Sequence, residues 1–509
     1  MQPLSTSFGL TSKPIDRSAW LFSWPLLVGV LVYLYMFYAG STLLGDGDTY
    51  WHIATGQWIL QHGVIPATDP FSHTMLGAPW TAHEWLSEVL LAIAHDYGSW
   101  TGVVALTALM FSIAIALLTR ALLKSIEPIY AIVFAIYAVL LTAAHLLARP
   151  HILATPLMMI WMIGLVRASD EKRMPSLWLL PVMTLWANMH GGFTLGLALV
   201  FAFALEAILA ARQEQRVVPV AKSWAIFLLL AIASSLVTPH GPQGILFTWE
   251  VLFNSSYALA HIGEWQSPRF HGIQPLEIWL LGGLALFMYQ GLRLPPVRLM
   301  LLLGLLHLAL KHVRYVELLG LLTPVFLAAP LAAQLQLRRQ DQQQLETVDF
   351  FFKKLTRPAG TGAAALALVF LFAFTLLTLK AKPIQLDETS APIQAIKAVQ
   401  VAGVDGPVLN EYGWGGHLIH ANIAPFIDGR ADIYGDDFLK TYMEALALKE
   451  PDGLEKLLKK YKIEWTLLAP GSPAVTFLDH LPEWRRLYAD KTAVVHVSTQ
   501  HKSVATQKP

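Results

Sequence analysis

The stretch Asp46-Gly47-Asp48-Thr49-Tyr50-Trp51-His52-Ile53-Ala54 begins just past the first long apolar run of the chain, near residues 20–43. A helix crosses a bilayer with about 20 mostly apolar residues, so the two carboxylates stand where a first span leaves the membrane. Ten further apolar runs follow, near 101–119, 129–147, 152–166, 176–188, 193–210, 223–238, 276–291, 299–312, 316–335 and 361–379. The chain therefore reads as a polytopic α-helical membrane protein with about eleven transmembrane helices.

Composition supports that class. Of 509 residues, 55% are hydrophobic and 14% charged, against about 25% charged in soluble proteins. An ordinary water-soluble enzyme is excluded. A net charge of +1 implies no nucleic-acid partner. With no cysteine, the chain has no disulfide, thiolate-bound metal or thiol catalysis.

Lys and Arg set the orientation. With the N-terminus inside, the cytoplasmic segments up to residue 357 hold seventeen of them, and the loops on the other side hold four: Arg149, Arg269, Lys311 and Arg314. Residues 1–19 are then a cytoplasmic lead, 20–379 the transmembrane module with its first external loop at 44–100, and 381–509 an extracytoplasmic tail. Apolar runs at 407–409, 423–427, 464–468 and 493–497 suit strands. Helical periodicity at 391–401, 436–449 and 452–461 completes a small α/β domain.

The first loop is too long and too patterned for a connector. Asp48 is expected to cap a helix over Thr49–Gln61 that Gly63 and Pro66 end. Trp51, Ile53, Ala54, Trp58 and Ile59 give that helix an apolar face suited to the membrane surface, and Glu84–His95 forms a second interfacial stretch.

Several groups could carry chemistry. Asp46 and Asp48 can share a cation or divide acid and base roles; a helix cap after a glycine turn is the plainer reading. Arg149 with His151, and Lys311-His312 with Arg314-Tyr315, are cations on an otherwise cation-poor side. They either snorkel to lipid headgroups or grip an anion such as a lipid-linked phosphate. Asn188 and His190 beside paired glycines, His240, and Glu264 can line a cavity, as can His52, His83 and Glu84 in the first loop. Asp428-Gly429-Arg430 with Asp432 and Tyr434 reads first as a turn held by an Asp–Arg pair. The histidines at 52, 62, 73 and 83 do not match a zinc pattern, and no nucleotide-binding glycine motif occurs.

The Asp46–Ala54 stretch resembles the first-loop acidic motif of the GT-C superfamily of membrane glycosyltransferases. That superfamily includes oligosaccharyltransferase catalytic subunits, protein O-mannosyltransferases and the aminoarabinose transferases of lipid A. Residues 63–66, Asp69-Pro70-Phe71-Ser72 and His83-Glu84-Trp85 resemble bacterial members. The resemblance implies a GT-C-like fold in a bacterial inner membrane, with the tail in the periplasm. It implies a transferase that takes a sugar from a polyprenyl-phosphate-linked donor and delivers it, with inversion, to a protein, lipid or glycan acceptor. Asp48 matches the essential carboxylate and Asp46 its upstream partner; Arg149, His151, Lys311, His312 and Arg314 would meet the donor phosphate. Two departures stand out. The later external segment Ala148-Arg149-Pro150-His151 lacks the second acidic motif of oligosaccharyltransferases, which leaves a divalent metal open. Glu411-Tyr412-Gly413-Trp414-Gly415 matches their acceptor-recognition motif only in outline. The competing readings are a transporter or flippase of lipid-linked or anionic solutes, and a non-catalytic envelope scaffold.

Overall fold

Each of those apolar runs folds as a helix in the computed structural model, which describes residues 22–254, 256–339, 355–356, 359–386 and 391–499. The lead at 1–19 lies outside these residues. Among the described residues seven helices are long and apolar enough to cross a membrane, and Trp24–Tyr38 and Leu179–Met189 are shorter apolar helices. Phe111, Trp161, Trp186, Phe203, Phe227 and Phe326 form the centre of the bundle, all nearly inaccessible. The peripheral helix Thr361–Ala381 instead turns Leu366, Leu368, Val369 and Phe372 outward, as a lipid-facing surface requires.

The helix that opens at Trp85 runs on to Leu122 but breaks at Ser99, whose φ is 49°. The chain turns so sharply there that Gly102 packs on the Ala94 carbonyl, where a Cβ would lie 2.1 Å from the oxygen. Its first arm is the expected second stretch of the loop. It is not interfacial: Glu88, Leu91 and Ala92 are buried. The first-loop helix, Gly47–His62, lies against this arm through Gly56, where a Cβ would sit 2.0 Å from the Glu88 carbonyl. Its expected membrane-facing stripe is likewise inside the protein. Ile53 and Ile59 are buried, and Trp51 packs with Trp80 and Ile419 of the tail. Gly63, with φ 69°, ends the helix in the left-handed conformation.

The tail holds a four-stranded sheet: β1 (Val408–Asn410), β2 (Trp465–Leu468), β3 (Trp484–Ala489) and β4 (Val494–Ser498), in the order β1-β2-β4-β3. β1 and β2 are parallel; the other pairs are antiparallel. β1 and β2 are buried throughout, which explains their unbroken apolar reading. The expected strand at 423–427 does not form. The Asn410 side chain takes the place of a neighbouring strand, accepting from Phe426 N–H at 2.8 Å and donating to the Ile427 carbonyl at 2.8 Å.

First loop and tail are stitched together. His73 N–H donates to the Pro425 carbonyl at 3.1 Å, and Thr74 Oγ1 to the Phe426 carbonyl at 2.6 Å. At their junction Arg430 donates to Asp428 Oδ1 (2.8 Å) and Oδ2 (2.6 Å) and to Asp69 Oδ1 (2.8 Å), all three side chains being at most 1% exposed. The expected Asp–Arg pair thus exists and closes its turn, Arg430 N–H donating to Asp428 Oδ1 at 3.0 Å, and through Asp69 it also fastens two regions together.

Candidate active site

The cap of the first-loop helix is Asp46, not Asp48. Asp46 has the extended backbone an N-cap needs (φ −121°, ψ 131°), and its Oδ1 accepts from Asp48 N–H at 3.4 Å. Asp48 sits in the first turn with its carboxylate free to face outward from the helix. Three glycine contacts press the tail onto this point. A Cβ on Gly47 would lie 2.0 Å from the Gly413 carbonyl, one on Gly416 1.9 Å from the Gly47 carbonyl, and one on Gly429 1.8 Å from Asp48 Oδ1. Only glycine allows that approach.

Arg149, at the start of the helix Pro150–Asp170, reaches both acids. Its Nε bonds Asp46 Oδ2, its Nη2 lies 2.9 Å from Asp48 Oδ2, and its Nη1 lies 2.8 Å from Glu264 Oε2. Glu264 Oε1 is 2.9 Å from Arg314 Nη1, and the Arg314 guanidinium lies 4.2 Å from the centre of the Trp265 ring. From Glu264 the polar groups close into a ring. His145 Nε2 is 3.8 Å away and stacks on His151 (4.7 Å), whose ring is 6.1 Å from His190. His190 Nε2 is 3.5 Å from Glu84 Oε1, and Glu84 Oε2 is 3.9 Å from His52 Nε2. His52 is one helical turn from Asp48, and Glu88 Oε1 holds its Nδ1 at 3.2 Å.

Electrostatics divide this ring. Burial pushes the Asp48 carboxyl up to about 7 against the pull of Arg149, with Asp46 and Glu264 adding to the rise. Burial also works to raise Glu264, yet Arg314 and Arg149 together hold it at about 2. Glu84 is driven by burial up to about 8. Burial lowers His83 to about 4 and His190 to about 3, so both imidazoles are neutral at pH 7. Asp432, in the first turn of Ala431–Leu446, is exposed.

The expected site residues separate accordingly. Asp46, Asp48, Arg149, Glu264, Arg314, His52, Glu84, His83, His190 and His151 gather at the ring. His151 is nevertheless buried, with Nε2 donating to the His145 carbonyl at 3.2 Å. Asn188 is structural: its amide donates to the Thr184 and Val237 carbonyls and accepts from Trp85 Nε1 at 2.8 Å. His240 tethers the first loop by donating to the Ala82 carbonyl at 3.1 Å. His312 bonds the Trp265 carbonyl, Tyr315 packs edge-on to Trp265, and Lys311 is exposed at its helix end. Sequence reading missed Glu88, His145, Gly429 and the open position of Asp432. Only Gly429 and Asp432 carried a signal, as parts of the Asp428–Tyr434 segment.

Among the described residues no group of three His, Asp or Glu side chains is arranged to hold a metal ion. At the acid pair, the Arg149 guanidinium fills the place a shared cation would take. A cavity of about 670 Å³ opens elsewhere, lined by Gln57, Trp58, Gln61, Asp96, His420 and Asn422, and none of the ring residues borders it.

The backbone resembles the archaeal oligosaccharyltransferase AglB from Archaeoglobus fulgidus, solved with an inhibitory peptide and a dolichol-phosphate. The TM-score is 0.53 at 10% identity, over 87% of this chain and 69% of that one. It also resembles ArnT from Cupriavidus metallidurans bound to undecaprenyl phosphate, with TM-score 0.50 and 12% identity over 92% of this chain and 97% of that one. No family model and no curated protein matches the sequence. Over 87% and 92% of its length the chain therefore shares the overall fold of these two solved proteins.

Proposed function

We propose that the protein is an inverting glycosyltransferase that moves a sugar from a polyprenyl-phosphate carrier to an acceptor on the outer face of a bacterial inner membrane. On this reading the chain spans the membrane about eleven times, with its N-terminus in the cytoplasm and its tail in the periplasm. Asp48 is the general base. It takes the proton from an acceptor hydroxyl, whose oxygen forms a bond to the anomeric carbon as the bond from that carbon to the phosphate oxygen breaks. A carboxyl poised near 7 suits that task. Asp46 holds the helix start and shares Arg149. The departing phosphate competes with Glu264 for Arg149 and Arg314, which then offset its charge; Lys311 meets it from the rim.

The observation that carries this reading is Asp48 itself: a carboxylate 23% exposed, 2.9 Å from a guanidinium and roofed by a glycine of another domain. The two structural neighbours, solved with dolichol-phosphate and undecaprenyl phosphate, support the choice of carrier. The test is incubation of the purified protein with radiolabelled undecaprenyl-phosphate sugars and membrane extract as acceptor. Transfer or hydrolysis that Asp48→Asn abolishes is the expected result. Movement of the lipid across a vesicle membrane without bond cleavage would make the protein a carrier instead.

A further inference from the structure

One arc of the ring is built unlike the Arg149 centre. Glu84 Oε1 lies 3.5 Å from His190 Nε2 and 3.7 Å from His83 Nε2, and Oε2 lies 3.9 Å from His52 Nε2. These separations are at or beyond hydrogen-bond length. Glu84, His83 and His190 keep 14%, 21% and 22% of their side chains accessible. The groups stay partly accessible and do not close on one another.

The backbone fixes two tautomers. His83 Nδ1 faces the Thr81 carbonyl at 3.3 Å, so Nδ1 carries the proton and Nε2 presents a lone pair. His190 Nδ1 accepts from Gly192 N–H at 3.1 Å, so its Nε2 carries the proton. Together they offer a bare nitrogen, an N–H and a carboxyl side by side. Burial leaves His83 at about 4, His190 at about 3 and Glu84 at about 8, so all three are uncharged at pH 7. An uncharged set of adjacent donors and acceptors has little to attract a phosphate or a cation. It suits hydroxyl groups, each of which donates and accepts at once. Phe247, its ring 4.4 Å from that of His83, supplies an apolar flank.

We infer that Glu84, His83 and His190 form the subsite that binds the hydroxyls of the transferred sugar, while Arg149 and Arg314 hold the phosphate. The inference rests on the polyprenyl-phosphate reading above. It divides the ring by chemistry into a charged arc for the leaving group and a neutral polar arc for the glycosyl group. Asp48 is linked to both, through Arg149 on one side and through His52, one turn along its own helix, on the other.

The test compares binding of bare undecaprenyl phosphate with that of undecaprenyl phosphate bearing glucose, mannose, galactose or arabinose, using the full-length protein in detergent. The wild type is expected to bind at least one glycoside tenfold or more tighter than the bare carrier. Glu84→Leu, which keeps the bulk but removes both donor and acceptor, and His83→Phe are each expected to remove that preference while leaving affinity for the bare carrier unchanged. His190→Gln replaces either variant that does not fold. Equal losses for bare and glycosylated lipids, or a wild type with no preference for any glycoside, would overturn the subsite. A wild type that binds neither kind of lipid would instead sink the polyprenyl-phosphate reading on which it rests.

Discussion

Two arginines with nearly the same partners behave as opposites. Arg430 binds Asp428 and Asp69, and Arg149 binds Asp46, Asp48 and Glu264. Around Arg430 every oxygen of Asp69 and Asp428 has a donor, from the guanidinium, Ser72, Phe71 N–H or Tyr434, and nothing is accessible. Around Arg149 15–23% of each side chain is open, and one carboxyl is pushed to about 7. A sealed and saturated ion cluster fastens the first loop to the tail. An open cluster with a raised carboxyl holds reactivity in reserve.

The contrast can be broken by experiment. Asp48→Asn is expected to lower transfer by about 10³-fold, the scale of a lost general base, with an unchanged unfolding midpoint; near-wild-type turnover would remove Asp48 from the chemistry. Arg430→Ala strands two buried carboxylates and should cost about 3–5 kcal/mol, read as early denaturation and proteolysis of the tail. A stable, resistant variant would show that the sealed cluster is not the fastener. Between these lies Gly429→Ala, whose new Cβ would fall 1.8 Å from Asp48 Oδ1. It should cut transfer about 10²-fold, as displacement of a catalytic group by an ångström does. Gly471→Ala, also in the tail but facing open space, serves as the control and should leave the rate alone.

Acidity sharpens the same comparison. Because the reactive form of Asp48 is the ionised one and its carboxyl sits at about 7, kcat/KM should rise with pH through that value. Below it, about a tenfold loss per pH unit is expected. Arg149→Gln removes the charge that favours the ionised form, so the rising limb should move to higher pH. A limb left in place would mean that another group sets it. The smallest effect belongs to Lys311→Ala: an exposed cation at the rim should weaken donor binding only a few-fold, measured by titration with undecaprenyl phosphate.

Much of the architecture was legible without coordinates. Spans announce themselves because lipid accepts only long apolar helices, and β2 and β4 because both faces of their sheet are covered. β3 escaped notice because it is an edge strand whose Arg485 and Arg486 face solvent. The run at 423–427 misled because Asn410 satisfies its backbone from the side. Within the site, Asp46 and Asp48 stood out by position and Arg149 by scarcity of external cations. Glu88 and His145 could not, since the ionisable groups that face them, His52 and Glu264, lie 36 or more residues away.

Residue types and their spacing were thus sufficient for the membrane class, the first-loop acid pair and the α/β character of the tail, because hydropathy and local periodicity are properties of contiguous chain. Which acid caps the helix, which histidine nitrogen carries a proton, and which glycine touches Asp48 were settled only by folding. The approach of Gly429 to Asp48 joins segments hundreds of residues apart, and the two-residue contacts that fix the cap and the tautomers depend on backbone angles that residue types alone do not encode.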